Sequence, residues 1–404
     1  MKPLSPFLLL ILMPWQPAVA QEPSAQESSL PSCTQDIADT DEDGVSAAMD
    51  IDKDGDGLIE LCSLEGLDAM RYQSDGSGYK ASGTATRITT GCPQDGCDGY
   101  ELVRSLDFND TNSYDSESIS MAWTTGTGWL PIGTFNAVFE GNGHTISNLM
   151  IDRSSDDVGL FGYVAGTNAA ITNIGLLNVS IKGGSFTGSL VGFNQVSITN
   201  SYATSAVIGN LEEAGGLVGF NTIFDGSAGM ITNSYATGNV MGGSSVGGLV
   251  GKNGENDSSG TITNSYATGA VTGNELVGGL VGDNSGTITN SYATGSNNIN
   301  LVVSDTGTIM NNRHLSLREL QSPTTATGIY SQWSTADWDF GTETQSPRLK
   351  YVVGLDTSYP ACDTDRQPST EQPSTKQPSC GSLLPNQPRD LRARVKVFLE
   401  GPLR

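Results

Sequence analysis

Basic residues are scarce in this chain of 404 residues, which has 20 Lys and Arg against 44 Asp and Glu and a net charge of −24. Binding to nucleic acid or to an anionic membrane surface requires a basic face on the protein. The composition therefore excludes nucleic acid as an expected partner. Long apolar runs are missing beyond the first 20 residues, so we expect no membrane insertion of the mature chain.

Histidines and catalytic motifs are equally rare. The only histidines are His144 and His314, and no HExxH or GxSxG motif is present, which excludes a zinc peptidase of that type. A polysaccharide lyase or hydrolase would use clustered carboxylates, and the best candidates are Glu140 and the adjacent Asp156 and Asp157. We therefore predict a protein that is not an enzyme, with a polysaccharide-degrading enzyme as the alternative.

The N-terminus has the features of a secretory signal peptide. Lys2 supplies a positive charge, residues 7–13 are apolar, and small residues precede Gln21. These features predict cleavage after Ala20 and a secreted, extracellular or cell-surface protein.

Six cysteines in an exported chain predict disulfide bonds rather than a zinc site, because paired CxxC spacing is missing. Cys92 and Cys97 could close a small loop, and the other two pairs are suggested only by proximity in the sequence. The candidate pairs are Cys92 with Cys97, Cys33 with Cys62, and Cys362 with Cys380.

Four similar segments lie between residues 189 and 295. Each joins Leu-Val-Gly through a polar loop to Ile-Thr-Asn-Ser-Tyr-Ala-Thr. Repeats of this length are typical of solenoids. The pieces are short, rich in Val, Ile, Thr and Tyr, and bounded by Gly and Asn, which indicates strands rather than helices. We therefore predict an all-β protein that forms a right-handed parallel β-helix.

Stacked coils place equivalent residues directly above one another at about 4.8 Å. We expect the repeated asparagines to form a hydrogen-bonded ladder at a corner and the repeated tyrosines to pack in the core or at a corner. A tyrosine platform for sugar stacking is the alternative. The ladder residues are Asn200, Asn233, Asn264 and Asn290, with Tyr202, Tyr235, Tyr266 and Tyr292.

The repeat GGLVGxN…GTITNSYATG resembles the GLUG motif of bacterial secreted and surface proteins, and the resemblance covers about residues 129–352. The first copy departs from the pattern, with Ser189 and Ser205 in place of Gly. The resemblance implies a parallel β-helix, as in adhesin-like proteins and some peptidases. It also implies a role in surface interactions, and it transfers no catalytic residue.

An Asp-rich segment near the N-terminus has the spacing of calcium-binding loops. Alternate Asp residues around a Gly turn bring several carboxylate oxygens together, as a hard cation requires. The spacing resembles thrombospondin type 3 and dockerin loops, although Ser63 replaces the last acid of the second loop. We predict structural calcium, and a solvated acidic linker is the alternative. The predicted ligands are Asp39, Asp41, Asp43, Asp50, Asp52, Asp54 and Asp56.

These observations divide the chain into eight parts. They are a signal peptide (1–20), a linker (21–35), calcium loops with a short helix capped by Ser63 (36–74), a loop-rich N-terminal cap (75–130), the β-helix (131–315), an aromatic C-terminal cap (316–354), a disordered Pro/Ser/Thr spacer (355–388), and an orphan strand or truncated domain (389–404).

The expected function is non-catalytic binding by a calcium-stabilised, adhesin-like module. The expected partner is a glycan or protein of a cell surface or matrix, bound through many weak contacts. A structural stalk of a larger surface protein is a further alternative, and the sequence does not predict the oligomeric state.

Overall fold

The computed structural model describes residues 50–350, except residues 117, 225–226, 256–259, 295–299, 322–329 and 341–345. The predicted signal peptide, linker, spacer and C-terminal strand lie outside the described residues. The same is true of Asp39, Asp41, Asp43, Cys33, Cys362 and Cys380.

The chain forms a parallel β-helix, which confirms the predicted fold. In one coil it passes through Val218–Asn221, Met230–Thr232, Tyr235–Ala236 and Val246–Gly247, and it begins the next coil at Val250–Asn253. Each of these strands pairs in parallel with the equivalent strand of the next coil. The repeats seen in the sequence are therefore the coils of the solenoid.

The strands build three long parallel sheets and a short one, here numbered 1 to 4. Sheet 1 contains Leu58–Leu61, Gly99–Leu102, Val138–Glu140, Ala170–Thr172, Ser197–Thr199, Met230–Thr232, Thr261–Thr263, Thr287–Thr289 and Thr308–Met310. Sheet 2 contains Leu106–Asp107, Thr145–Ser147, Met150–Asp152, Gly175–Gly183, Tyr202–Gly209, Tyr235–Ala236, Val240–Met241, Tyr266–Ala267, Val271–Thr272, Tyr292–Ala293 and Arg313–His314. Sheet 3 contains Ile132–Phe135, Phe161–Val164, Val191–Asn194, Val218–Asn221, Val250–Asn253, Val281–Asn284 and Val302–Asp305. Sheet 4 contains Ala214–Gly215, Val246–Gly247 and Val277–Gly278.

The remaining elements are short. Two antiparallel pairs join Ile223–Phe224 to Ser227–Ala228 and Trp338–Asp339 to Arg348–Leu349. The helices are Leu64–Ala69, Met121–Thr124 and Leu317–Leu320, with 3-10 turns at Met70–Tyr72 and Thr111–Ser113. The first helix begins as predicted, because the Ser63 hydroxyl accepts a hydrogen bond from the Gly66 amide at 3.0 Å. Among the described residues, no helix is long and apolar enough to cross a membrane.

The interior of the coils is filled by the alternate residues of each strand. In sheet 1 the central isoleucine of each repeat points inward and is fully buried, while the flanking threonines are partly exposed. Burying one such side chain stabilises the fold by about 1.5–3 kcal/mol. The inward residues of successive coils are Ile171, Ile198, Ile231, Ile262 and Ile288.

The glycine of the Leu-Val-Gly motif is required by close approach to the backbone of the preceding coil. A Cβ atom on Gly251 would lie 2.7 Å from the Ala214 amide nitrogen and 2.7 Å from the Gly219 carbonyl oxygen. Real Cβ atoms essentially never come that close to backbone, so only glycine fits there. This contact explains the presence of the motif in each coil.

A buried asparagine ladder runs through the inside of sheet 3, and sequence reasoning missed it. The Asn194 side chain donates to the Asn221 side-chain oxygen at 2.8 Å, and Asn221 donates to Asn253 at 2.8 Å. Asn253 donates to Asn284 at 2.7 Å, and Asn284 donates to Asp305 at 2.9 Å. The four asparagines are fully buried. The signal was present, because an Asn follows Leu-Val-Gly-x in each copy.

The aromatic block near the C-terminus lies along the side of the stack, not over its end. Trp333 and Trp338 pack against the repeated tyrosines of sheet 2. In the last described coil Ile309 and Met310 stay 38% and 49% exposed. The described residues 315–321, 330–340 and 346–350 are here called the strap. Their tryptophans pack along the tyrosines, whereas the sequence predicted a cap over the coil end at residues 316–354. The stacked tyrosines offer a longer apolar strip than a single coil end.

Asn253→Ala should strongly destabilise the stack. The change removes one hydrogen bond from each of three buried groups, namely the Asn221 side-chain nitrogen, the Asn284 side-chain oxygen and the Gly260 carbonyl. Asn221 keeps its bond to the Gly229 carbonyl, and the Gly260 carbonyl keeps the bond from the Thr287 amide. We expect the free energy of unfolding to fall by about 2–5 kcal/mol, measured by urea denaturation. Asn274→Ala, at an exposed loop position, is the control and should change little. Equal losses in both variants would contradict a stabilising role of the ladder.

Trp338→Ala should release the strap and leave the coils folded. The Trp338 ring centroid lies 6.1 Å from Tyr235 and 6.0 Å from Tyr266, and the residue is 1% exposed. Removing it should cost about 3–5 kcal/mol of local stability. Amide hydrogen exchange should accelerate at residues 330–340 but not in sheet 1. Met310→Ala is the control, and the strap position would be wrong if that variant released the block as well.

Candidate functional site

The described part of the Asp-rich segment is a tight loop held by hydrogen bonds from its backbone amides to its own Asp side chains. The Asp50, Asp54 and Asp56 carboxylates each accept a hydrogen bond from the amide two residues later, at 2.9, 3.2 and 2.9 Å. The Asp52 carboxylate accepts one from the Gly57 amide at 3.0 Å. Gly57 has φ 89°, a conformation that glycine adopts without strain.

The loop brings carboxylates together beside sheet 1. One oxygen from each of Asp52, Asp54 and Asp56 lies within 4.8 Å of the others. A second group of the same size joins Asp54 to Glu60 and Glu101. Glu60 and Glu101 are register partners in neighbouring strands of sheet 1. The arrangement is therefore a cluster of five carboxylates shared by the loop and the first two coils.

Burial raises the free energy of the charged carboxylates in this cluster. Asp52 is fully buried, and its Oδ1 atom has no hydrogen-bond partner among the described residues. Burial, reinforced by the charges of Asp56 and Asp54, raises the Asp52 pKa to about 7. Burial likewise raises the pKa of Glu60 to about 8 and that of Glu101 to about 9. A bound cation would offset the mutual repulsion and the lost hydration of these groups.

The predicted ligands divide into three sets. Asp52, Asp54 and Asp56 lie in the cluster, whereas Asp39, Asp41 and Asp43 lie outside the described residues. Asp50 is buried and supports the loop through the Asp52 amide. Sequence reasoning missed Glu60 and Glu101, because only the pairing of Leu58–Leu61 with Gly99–Leu102 places them side by side.

The structure brings Cys92 and Cys97 together in a disulfide bond next to this site. The Cys97 sulfur lies 3.9 Å from the Asp52 carboxylate. Cys62 is also disulfide-bonded, and its partner lies outside the described residues.

The repeated asparagines lie at the corner between sheets 1 and 2. Asn233 donates to the Asn200 side-chain oxygen at 3.2 Å, Asn264 donates to Asn233 at 3.3 Å, and Asn290 donates to Asn264 at 3.3 Å. Their φ values are 48–51°, in the left-handed region that Asn tolerates better than most residues. The side chain thus serves both the turn and the ladder.

The repeated tyrosines stack on the outside of sheet 2 beneath the strap. The rings of Tyr202 and Tyr235 are 4.8 Å apart, and those of Tyr235 and Tyr266 are 4.9 Å apart. The Tyr266 hydroxyl donates to the Pro347 carbonyl at 2.7 Å. These three tyrosines and Tyr292 are each at most 5% exposed. Because the strap covers them, they cannot serve as an open sugar platform in this state.

The acidic candidates for catalysis do not converge. Glu140 lies in sheet 1, and its carboxylate accepts hydrogen bonds from the Asn142 amide, the Thr172 hydroxyl and the Asn173 side chain. Asp156 and Asp157 lie in the turn before sheet 3. A carboxylate held by so many donors is a weak general base.

The match to a family of known repeats agrees with these coils. A family model described as the GLUG motif matches residues 210–241, 242–272 and 273–300. Residues 210–300 are GLUG repeats. The copy that begins at Ser189 lies before the matched residues, although its strands pair in register with the first matched coil.

Two further comparisons place the chain among known proteins. It is 37% identical over 131 residues to halomucin of Haloquadratum walsbyi (strain DSM 16790 / HBSQ001), which covers 30% of this chain and 1% of that relative's length. A crystal structure of an immunoglobulin A1 protease candidate from Bacteroides ovatus is 22% identical, with a TM-score of 0.49, over 74% of this chain and 94% of the other.

Proposed function

We propose that this protein is a secreted or cell-surface, non-catalytic binding module whose β-helix is stabilised at its N-terminal end by calcium. The observation that carries the calcium part is the cluster of Asp52, Asp54, Asp56, Glu60 and Glu101. The GLUG repeats and the similarity to halomucin support a location at a cell surface.

The donor set fits a hard divalent cation. Calcium takes six to eight oxygen ligands at about 2.3–2.6 Å, so two oxygens on opposite sides of one ion are about 5 Å apart. The oxygens of Asp52, Asp54 and Asp56 lie within 4.8 Å of one another. All five clustered side chains supply carboxylate oxygens, which disfavours zinc or copper. Calcium would tie the loop to Glu60 and Glu101, and hence to the first two coils.

The binding function is supported by the repeated polar residues on the outer face of sheet 1. Sheet 1 repeats Thr-Ile-Thr over the coils at residues 261–263 and 287–289, with the threonines outward. A repeated polar surface offers many equivalent weak contacts, and such contacts give strong attachment through multivalency. The alternative function, a polysaccharide-active enzyme, has less support, because Glu140 lies in sheet 1 whereas Asp156 and Asp157 lie in the turn before sheet 3.

Removal of calcium should loosen the N-terminal end of the protein. A ligand present at 100 times its Kd stabilises the folded state by about 2.7 kcal/mol. We expect a chelator to lower the melting temperature and to expose residues 50–62 to proteolysis, and added calcium should reverse both effects. The Asp52→Asn variant should show no calcium response. Asp110→Asn is the charge-matched control, since Asn can still cap the turn at Thr111–Ser113. Unchanged melting and proteolysis after chelation would refute the calcium site.

The absence of catalysis can be tested by affinity electrophoresis through gels cast with different polysaccharides, with and without calcium. Retardation of the band without loss of the polymer is the expected result. Clearing of the polymer behind the band would show an enzyme and would overturn the non-catalytic function. A gel without polysaccharide controls for mobility changes caused by calcium alone.

A further inference from the structure

Two parallel rows of side chains form a distinct surface where the turns before sheet 3 meet its outer face. The first row lies at the turn that precedes sheet 3, and backbone hydrogen bonds between coils hold its register. It consists of Asp157, Phe186, Glu213, Ser245 and Leu276. The second row lies on sheet 3 itself and consists of the register partners Tyr163, Phe193, Phe220, Lys252 and Asp283. Together these rows are called the acid–aromatic surface.

The aromatic rings of this surface belong to neither apolar core of the protein. Phe193 packs 5.1 Å from Tyr163, 5.6 Å from Phe186 and 4.9 Å from Phe220. Tyr163, Phe186 and Phe193 remain partly exposed. The rings are therefore a separate cluster on the outside of the solenoid, in contact with solvent.

Phe186 occupies its position against the preference of the backbone. Its φ is 52°, a left-handed conformation that residues with a Cβ rarely adopt. The equivalent positions Asp157, Ser245 and Leu276 have the same conformation, with φ values of 55°, 50° and 45°. The turn therefore imposes this backbone along the whole row, and at Phe186 it presents an aromatic ring beside sheet 3.

Two carboxylates of the first row flank Phe186 in the neighbouring coils, and one oxygen of each lacks a hydrogen-bond donor within the described part of the chain. Asp157 Oδ1 and Glu213 Oε2 are buried without a partner among the described residues, and burial raises the pKa of both groups. Asp156 and Glu212 add further negative charge beside them. The Lys252 ammonium group offsets part of the charge at Glu213. The surface thus combines partly exposed rings with acid groups whose negative charge is only partly compensated.

The surface already holds one cation of its own. The Lys252 ammonium group lies 5.2 Å from the centroid of the Phe220 ring and 2.8 Å from the Glu255 carboxylate. Glu255 neutralises this charge locally. The rings of Phe220 and its neighbours therefore have the shape and electrostatics that an ammonium or guanidinium group requires.

We propose that the acid–aromatic surface binds the cationic side chains, Arg or Lys, of a partner protein. This inference rests on the proposed function and names the ligand chemistry of one binding surface. A guanidinium group donates hydrogen bonds to carboxylates at its edge and stacks its face on aromatic rings. The clustered acids and rings supply both interactions.

Charge and ring geometry favour a cationic ligand over a neutral glycan. Sugars stack best on flat, coplanar rings, whereas Phe193 meets Phe186 at 79° and Phe220 at 71°. Phe186 and Phe220 lie at 22° to each other. Because Phe193 is edge-on to both, the three rings form no continuous flat platform. The net charge of −24 also favours a basic partner and its electrostatic steering.

The experiment measures binding of a fluorescent hexa-arginine peptide to the full chain in saturating calcium, with a neutral gluco-oligosaccharide as the competing probe. The double variant Asp157→Asn/Glu213→Gln should weaken peptide binding by about tenfold or more, because charged hydrogen bonds are lost. Asn suits the φ of 55° at Asp157. Phe193→Leu, which keeps the charge, should weaken binding by about threefold to fivefold.

Asp110→Asn removes one negative charge outside this surface and should leave peptide affinity within about twofold of wild type. Equal weakening by this control, or no effect of Phe193→Leu, would reduce the binding to non-specific charge attraction and overturn the proposal. Oligosaccharide binding that only Phe193→Leu abolishes would make the surface a glycan site instead.

Each variant is first checked for the calcium-dependent shift in melting temperature. A variant that keeps this shift but loses the peptide identifies a defect of this surface alone. If the wild-type chain shows no calcium-dependent shift in melting temperature, the proposed function is refuted instead. The two failures are therefore distinguishable.

Discussion

Parallel pairing of each coil with the next is the constraint on which the rest of this structure depends. The pairing holds strands in register, so that Ile231 lies above Ile198 and below Ile262. Any residue placed in a coil therefore contacts its equivalents at about 4.8 Å. Apolar side chains then fill a continuous core, and a polar side chain can be buried only where its equivalent supplies a hydrogen bond.

The asparagine ladders show how this constraint selects residue types. An amide carries both a donor and an acceptor, so identical copies satisfy one another along the stack. Asn221 and Asn253 do so inside sheet 3, and Asn233 and Asn264 do so at the corner. A carboxylate has no donor, so stacked carboxylates need other donors or a cation, as Asn142 donates to both Glu101 and its register partner Glu140. Parallel pairing places the Glu60 and Glu101 carboxyl groups side by side, although their burial disfavours the charged form of both.

The repetitive part of the fold was predictable from the sequence, because a period in the chain becomes a period in space. The β-helix and the stacking of equivalent residues such as Asn200 followed from spacing. Tyr202 stacks on its equivalents as well, but outside sheet 2 rather than in the core or at a corner as expected. Contacts between segments that do not repeat leave no such signal. Trp338 meets Tyr235 across the strap, and Glu101 joins Asp54 across irregular loops. The clustering of Asp52, Asp54 and Asp56 was foreseeable because their spacing is local.

The last described coil shows how much each coil depends on the next. Ile288 is fully buried between its neighbours, whereas Ile309, at the same position one coil later, is 38% exposed. The difference between the two residues is the cover that a further coil supplies. Stability in such a stack resides in the interfaces between coils rather than within them. The strap lies along the tyrosines of several coils at once, and it therefore stabilises many interfaces where an end cap would protect only one.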